Sequence, residues 1–171
     1  QVPHTGVATF VRRLVKVEHV SDRIMLSSDE LSHIQRSDGS HYYSRVMQTT
    51  ILAEPRLAIF NFHGVPCHQK RDCPERELQS VRLNDALSEF DGEKIVVGDF
   101  NLMPDTEAIR GLEKTMHNLV IEGGFESTRT RLYEKKEVMP FADYTFVTPG
   151  INVTKFQVLP DEISDHSPML L

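Results

Sequence analysis

The sequence predicts an α+β fold built on mostly antiparallel sheets. Three observations carry that expectation. Short runs of β-branched and aromatic residues recur along the chain. Turn dipeptides such as Asp38-Gly39 and Pro149-Gly150 punctuate them. One long stretch, Glu75 to Phe90, has helical spacing. The 171 residues suit a single domain, and no repeat or linker divides them. With 39% hydrophobic and 26% charged residues the composition is that of a globular chain. No run approaches the ~18 apolar residues of a membrane helix, and no signal-peptide pattern opens the chain. The 19 Lys and Arg against 25 Asp and Glu give a formal charge of −6. That balance argues against a broad basic surface for nucleic acid. It leaves room for an enzyme that meets phosphate through a metal ion and a few donors.

Taken in order, Gly6 to Val17 is rich in β-formers and reads as a strand. Asp38-Gly39 tolerates positive φ and predicts a turn joining a strand near Ser32–Arg36 to one beginning near His41. Arg45–Ala53 and Leu57–Phe62 flank Glu54-Pro55-Arg56 and read as an antiparallel hairpin. Leu83, Ala86, Leu87 and Phe90 fall at i, i+3, i+4 and i+7, one face of a helix that Asp91-Gly92 stops. Lys94–Val97 is a short apolar strand without alternation, expected to be buried on both faces. Asp105 is placed to cap a helix through Glu113, with Ile109 and Leu112 inward. Leu119–Ile121 is a short apolar piece, Asp143–Thr148 and Asn152–Leu159 are strands about Pro149-Gly150, and Ser167–Leu171 is a last strand.

Polar residues of catalytic type follow several of these strands directly, where a rigid sheet can hold them in place. The clusters are Asn61-Phe62-His63-Gly64, Gly98-Asp99-Phe100-Asn101 and Ser164-Asp165-His166, and Asp143 opens the strand DYTFV. Asp99 and Asn101 lie two apart and point the same way on an extended chain, with Phe100 opposite. A carboxylate there can orient a water or hold a hard metal, and an amide can donate to a phosphate oxygen. The same tetrapeptide, taken alone, is equally a turn. His166 needs a partner other than its neighbour Asp165, and Asp143 is the candidate that would set its tautomer and basicity. His63 alone reads as a structural histidine.

Together, FNFHG, VVGDFNLMPDT, ADYTFVTPGI and ISDHSPML stand in one order from about Gly6 to the end of the chain. In that order they resemble the endonuclease/exonuclease/phosphatase superfamily of deoxyribonuclease-like metal phosphoesterases. The resemblance implies a two-sheet sandwich flanked by helices in four layers, with the site at one end of the sheets. It implies a divalent metal, usually Mg²⁺ with Mn²⁺ as the alternative, and hydrolysis of a phosphate ester by an activated water. Carried over, Asp99 is the carboxylate that directs the water, and Asn101 the amide that holds water and phosphate. His166 contacts the scissile phosphate with Asp143 orienting it, and Asp165 is a metal-site acid. His63 is a phosphate donor or general acid, with Asn61 beside it. Nucleic acid, a phosphoinositide, a lipid headgroup or a nucleotide would each serve as substrate.

The family also has two earlier motifs, an Asn on the first strand and a metal-binding Glu at the end of a later one. Neither Glu18 nor Glu30 sits in such a setting. The expectation is therefore a domain whose N-terminal strands and principal metal ligand are missing. Weak metal binding, little activity, and self-association through an exposed sheet edge would follow. The alternative is a non-catalytic interaction module on the same fold.

Other residues carry weaker signals. Lys70 and Arg71 are read as substrate contacts on the loop after His63, and Arg129 as a phosphate contact, each competing with an ordinary surface role. His63, Cys67, His68 and Cys73 are types that bind zinc, but their spacing fits no ribbon or finger. Two cysteines in one polar loop point to a reducing, cytoplasmic setting, with a Cys67–Cys73 disulfide left open. Asn152-Val153-Thr154 matches a glycosylation acceptor, without meaning in the cytoplasm.

Overall fold

The computed structural model describes residues 6–34, 39 and 41–171. A six-stranded sheet forms its centre. The strands are β1 (Val17–Leu26), β2 (Arg45–Leu52), β3 (Leu57–His63), β4 (Glu93–Asp99), β5 (His117–Asn118) and β6 (Asp143–Val147), in the spatial order β1-β2-β3-β4-β6-β5. Neighbours pair antiparallel except β3 and β4, which are parallel. A parallel pair needs a crossover, and helix α1 (Pro74–Ser88) supplies it. Two further helices, α2 (Glu107–Glu113) and α3 (Leu119–Glu122), follow β4 and β5. A second sheet of two residues a strand joins β7 (Gln157–Val158) to β8 (Met169–Leu170). This is the α+β, two-sheet arrangement flanked by helices that the sequence predicted.

Alternation in β3 decides which face packs. Ala58, Phe60 and Phe62 are buried beneath the helices, while Ile59, Asn61 and His63 on the other face are half-buried. Leu83, Ala86, Leu87 and Phe90 of the α1 segment are buried in the same core, as are Ile109 and Leu112 of α2. Phe100 joins them, its ring centroid 5.0 Å from Phe62, 5.6 Å from Tyr144 and 5.5 Å from Phe146. Such aromatic pairs contribute about 0.5–1.5 kcal/mol each beyond their buried area. The cluster sits directly under the ends of β3, β4 and β6, and so holds the strand termini still.

Several local expectations are corrected. Residues 6–16 form no strand. Among the described residues no strand pairs along them; the Lys16 carbonyl accepts from Ala53 N–H at 3.0 Å, and the Asn61 side-chain amide donates to the carbonyl of Ala8 at 3.0 Å. The turn at Asp38 lies outside the described residues, and residues 27–34 are turns rather than a strand. Asp105 does not cap α2. It pairs with Arg71 at 2.5 Å, while Asp72 accepts from the N–H groups of Glu107 and Ala108. Only Val96 of the Lys94–Val97 strand is fully buried. The strand expected over Asn152–Leu159 shrinks to Gln157–Val158, which pairs with β8 and not back onto β6.

Cys67 and Cys73 form a disulfide that closes the loop before α1. The bridge removes the thiolates a zinc site would use. Disulfides persist mainly in oxidising compartments, so the bridge adds nothing to the cytoplasmic expectation. No helix among the described residues is long and apolar enough to cross a membrane.

Candidate active site

Register brings the predicted residues together. His63 stands beside Asp99 across the β3–β4 pair, and Asp99 beside Asp143 across β4–β6. Three strand ends thus put an imidazole and two carboxylates in a row on one face of the sheet. His166 reaches the row from the loop before β8. Its Nδ1 is 2.7 Å from Asp143 Oδ2 and 2.9 Å from Oδ1. Asp99 is central: its Oδ2 lies 3.9 Å from His63 Nε2 and 3.8 Å from His166 Nε2. Its other oxygen accepts from the backbone N–H of Asn101 at 2.7 Å. That bond turns the chain sharply, and Asn101 has φ 53. Gly-Asp-Phe-Asn is therefore a turn, and that turn places the Asp99 carboxylate between the two histidines.

Each histidine also meets an arginine. Arg45 Nη1 donates to His63 Nε2 at 3.0 Å. Burial and then the Arg45 charge push the His63 pKa below its ordinary value, so this ring is neutral near pH 7. Arg129 Nη1 lies 2.6 Å from Asp165 Oδ2 and 2.7 Å from His166 Nε2. Burial alone would lower the His166 pKa. The Asp143 hydrogen bond, with the charges of Asp143 and Asp99, outweighs it and holds the pKa above the ordinary value. Arg129 donates to Nε2 of the neutral ring. Once that ring is protonated, two cationic donors face each other and need an acceptor between them. A phosphate oxygen is such an acceptor. Burial and then the Asp99 charge, against the His166 bond, push Asp143 up.

A cleft of about 440 Å³ opens on this centre, lined in part by His63, Asp99, Asn101, Arg129, Asp165 and His166. Asn61 lies one alternation back on β3 and holds residues 8 and 9 instead. Arg71 is drawn off to Asp105. Lys70 is buried beside the cleft, donating to the carbonyl of Phe141 at 2.6 Å.

A model of the Endonuclease/Exonuclease/phosphatase family matches residues 5–166. The chain belongs to this family. Solved structures share the fold. One is an endonuclease/exonuclease/phosphatase family protein from Bacteroides thetaiotaomicron, at 16% identity and TM-score 0.65, covering 90% of this chain and 62% of that one. A mannosyl-6-phosphatase of the same organism gives 16% and 0.65, covering 90% and 65%. TDP2 from C. elegans gives 15% and 0.61, covering 93% and 51%. The chain thus spans about half to two thirds of the length of these structures. No curated protein matches it.

The endonuclease/exonuclease/phosphatase family generally uses divalent metals, and the donor set here can be compared with what such an ion takes. Ligand atoms of Asp99, Asp143 and His166 all lie within 4.8 Å of one another. Asp165 opens on the same cleft. Carboxylate oxygens with water completing the shell suit a hard cation such as Mg²⁺ or Mn²⁺, and the residues fit it. Two of the carboxylates are already engaged, Asp143 by His166 and Asp165 by Arg129. Among the described residues no glutamate lines the cleft.

Arg45, Arg76 and Tyr133 were not singled out in the sequence. Arg76, 2% exposed, donates from Nη2 to the Asn101 carbonyl at 3.2 Å and so supports the turn that carries Asn101. A signal for it existed: the helical stripe of Leu83, Ala86 and Phe90, run backwards, passes through Gln79 and Arg76. Arg45 reaches His63 only through the β2–β3 hairpin, and nothing local marks it.

Proposed function

We propose that this chain hydrolyses phosphate mono- or diesters by in-line attack of a water. The observation that carries the reading is the row His63–Asp99–Asp143, with His166 closing on it. Asp99 Oδ2 directs the water and takes up its proton. The water oxygen forms the new P–O bond as the ester P–O bond breaks, and the leaving oxygen collects a proton from the protonated ring of His166. Arg129 and Asn101 face the charge that builds on the phosphate oxygens. His63, held neutral beside Arg45, contacts phosphate and does not act as the acid, because its lowered pKa leaves it without a proton to give. A bound Mg²⁺ or Mn²⁺ would supply charge neutralisation at the phosphate, held by Asp99 and by Asp165, whose carboxylate would be shared with Arg129. With so few uncommitted ligands the ion is held weakly and turnover is modest. The substrate is a nucleic acid, nucleotide, phosphoinositide or other phosphate ester. The solvent-exposed edge of β1 is the surface for any self-association.

The test is an assay of p-nitrophenyl phosphate, bis(p-nitrophenyl) phosphate, oligonucleotides and inositol phosphates, with and without EDTA. Turnover that EDTA abolishes and that returns at about millimolar Mg²⁺ or Mn²⁺ is expected. No turnover of any ester at saturating metal would favour the second reading, a non-catalytic interaction module. The engaged carboxylates are the observation on that side.

The pH profile tests the histidine assignment. His166 acts protonated, and its pKa is raised above 6.5, so the rate falls as pH climbs through that raised value. Asp143→Asn removes the carboxylate that holds the proton. The alkaline limb then moves to lower pH, toward 6.5, along with a loss in kcat of about 10²-fold. A limb that stays in place, or moves up, would assign the proton to another group.

A further inference from the structure

Lys70 is a charged side chain that the reaction above leaves unused. It is 5% exposed. Its ammonium has three N–H donors, yet among the described contacts it donates to one acceptor, the Phe141 carbonyl. Its Nζ lies 4.8 Å from the centroid of the Tyr133 ring, and the Arg129 guanidinium lies 4.4 Å from the same centroid. One tyrosine ring therefore joins the arginine of the reaction centre to a second buried cation. The backbone is bent to bring it there. Gln69 and Lys70 have φ 53 and 54, which residues other than glycine seldom adopt. The Cys67–Cys73 bridge closes this loop, and Met103 N–H pins the Lys70 carbonyl at 2.9 Å. The Nε of Arg129 is buried without a hydrogen-bond partner.

A second cavity, about 620 Å³, opens on Lys70. It shares Tyr42, Pro66, Asn101 and Tyr133 with the reaction cleft, so the two adjoin. Lys135 and His68 also line it. Among the described residues its lining carboxylate is Glu75, whose Oε1 is 2.6 Å from His33 Nε2. This volume is of ligand size, far beyond what one phosphate needs, and among its described lining residues Lys70 and Lys135 outnumber Glu75 in a chain of charge −6.

We propose that this cavity is a second anion subsite. Lys70, with Lys135 beside it, receives a second phosphoryl group of the same substrate while the first sits at Asp99, His166 and Arg129. The substrate class is then a phosphate ester bearing two phosphoryl groups, of which one is hydrolysed. This rests on the phosphoesterase reading above.

Isothermal titration of the whole chain in EDTA, where binding is read without turnover, tests it. The probes are thymidine 3′,5′-bisphosphate against thymidine 5′-monophosphate, and inositol 1,4-bisphosphate against inositol 1-phosphate. A preference of about tenfold for the bisphosphate is expected in at least one pair, and that pair names the carrier. Lys70→Met removes the preference. Lys135→Ala, at an exposed position that folding tolerates, reduces it two- to threefold. Arg129→Met weakens both members of a pair together. Equal binding of both members by the wild type, binding of neither, or a Lys70→Met protein that is folded by circular dichroism and keeps the preference would overturn the subsite. Failure of the two readings is distinguishable. Ester turnover without the preference removes the subsite alone. The preference without any turnover removes the reaction and leaves the subsite.

Discussion

Asp99→Asn is expected to lower kcat by about 10³-fold on any phosphate ester the chain hydrolyses, with little change in thermal stability. The carboxylate is the group both histidines face, at 3.9 and 3.8 Å. An amide of the same shape cannot take a proton from water and binds a cation poorly. The change is otherwise gentle. The side-chain carbonyl still accepts from Asn101 N–H, so the turn at φ 53 persists. Steady-state kinetics alongside a thermal melt read the two effects separately. Activity within tenfold of wild type would remove Asp99 from the water-directing role.

The second large effect is on stability. Gly98→Ala should prevent folding or cost about 4 kcal/mol or more, a large part of a typical ~5–15 kcal/mol total. Gly98 lies inside the parallel β3–β4 pair with φ 136. A Cβ there would overlap the Phe62 carbonyl oxygen and stand 2.9 Å from the carbonyl carbon. These are backbone atoms, and Phe62 is itself locked in the aromatic core, so nothing can give way. The glycine lets β4 lie close enough to β3 for Asp99 to stand beside His63. Gly111→Ala in α2, where an added Cβ meets nothing within 4 Å, is the control. It should leave the protein folded and stabilise it by about 0.5–1 kcal/mol. Chemical denaturation of both variants checks this. A Gly98→Ala midpoint equal to wild type would contradict the close approach.

The parts that were legible share a physical property: each is periodic or local. The hairpin of β2 and β3, the inward face of α1 and the short strand before Asp99 follow from spacing and turn residues. The parts that were not legible depend on a partner distant in the chain. Residues 6–16 have strand composition, but a strand needs a neighbour. Asp105 has the chemistry of a cap, but Arg71 offered it a charge and Asp72 took its place at the helix. Lys70 and Arg71 are adjacent and alike in sequence, yet one is buried beside Tyr133 and the other lies in an exposed ion pair.

The sequence by itself determined the α+β class and the family, and it marked Asp99, Asn101, Asp143 and His166, in short motifs of fixed order, as the residues of the proposed site. Tertiary structure decided the charge environment of that site. Arg45 reaches His63 through a hairpin register, and Arg129 is folded under the loop that carries Asp165 and His166. Burial and the Arg45 charge lower the His63 pKa, while Asp143 and Asp99 raise that of His166 against burial and Arg129. The sequence marked Asp143 as the His166 partner but specified neither the burial nor the two arginines beside the rings.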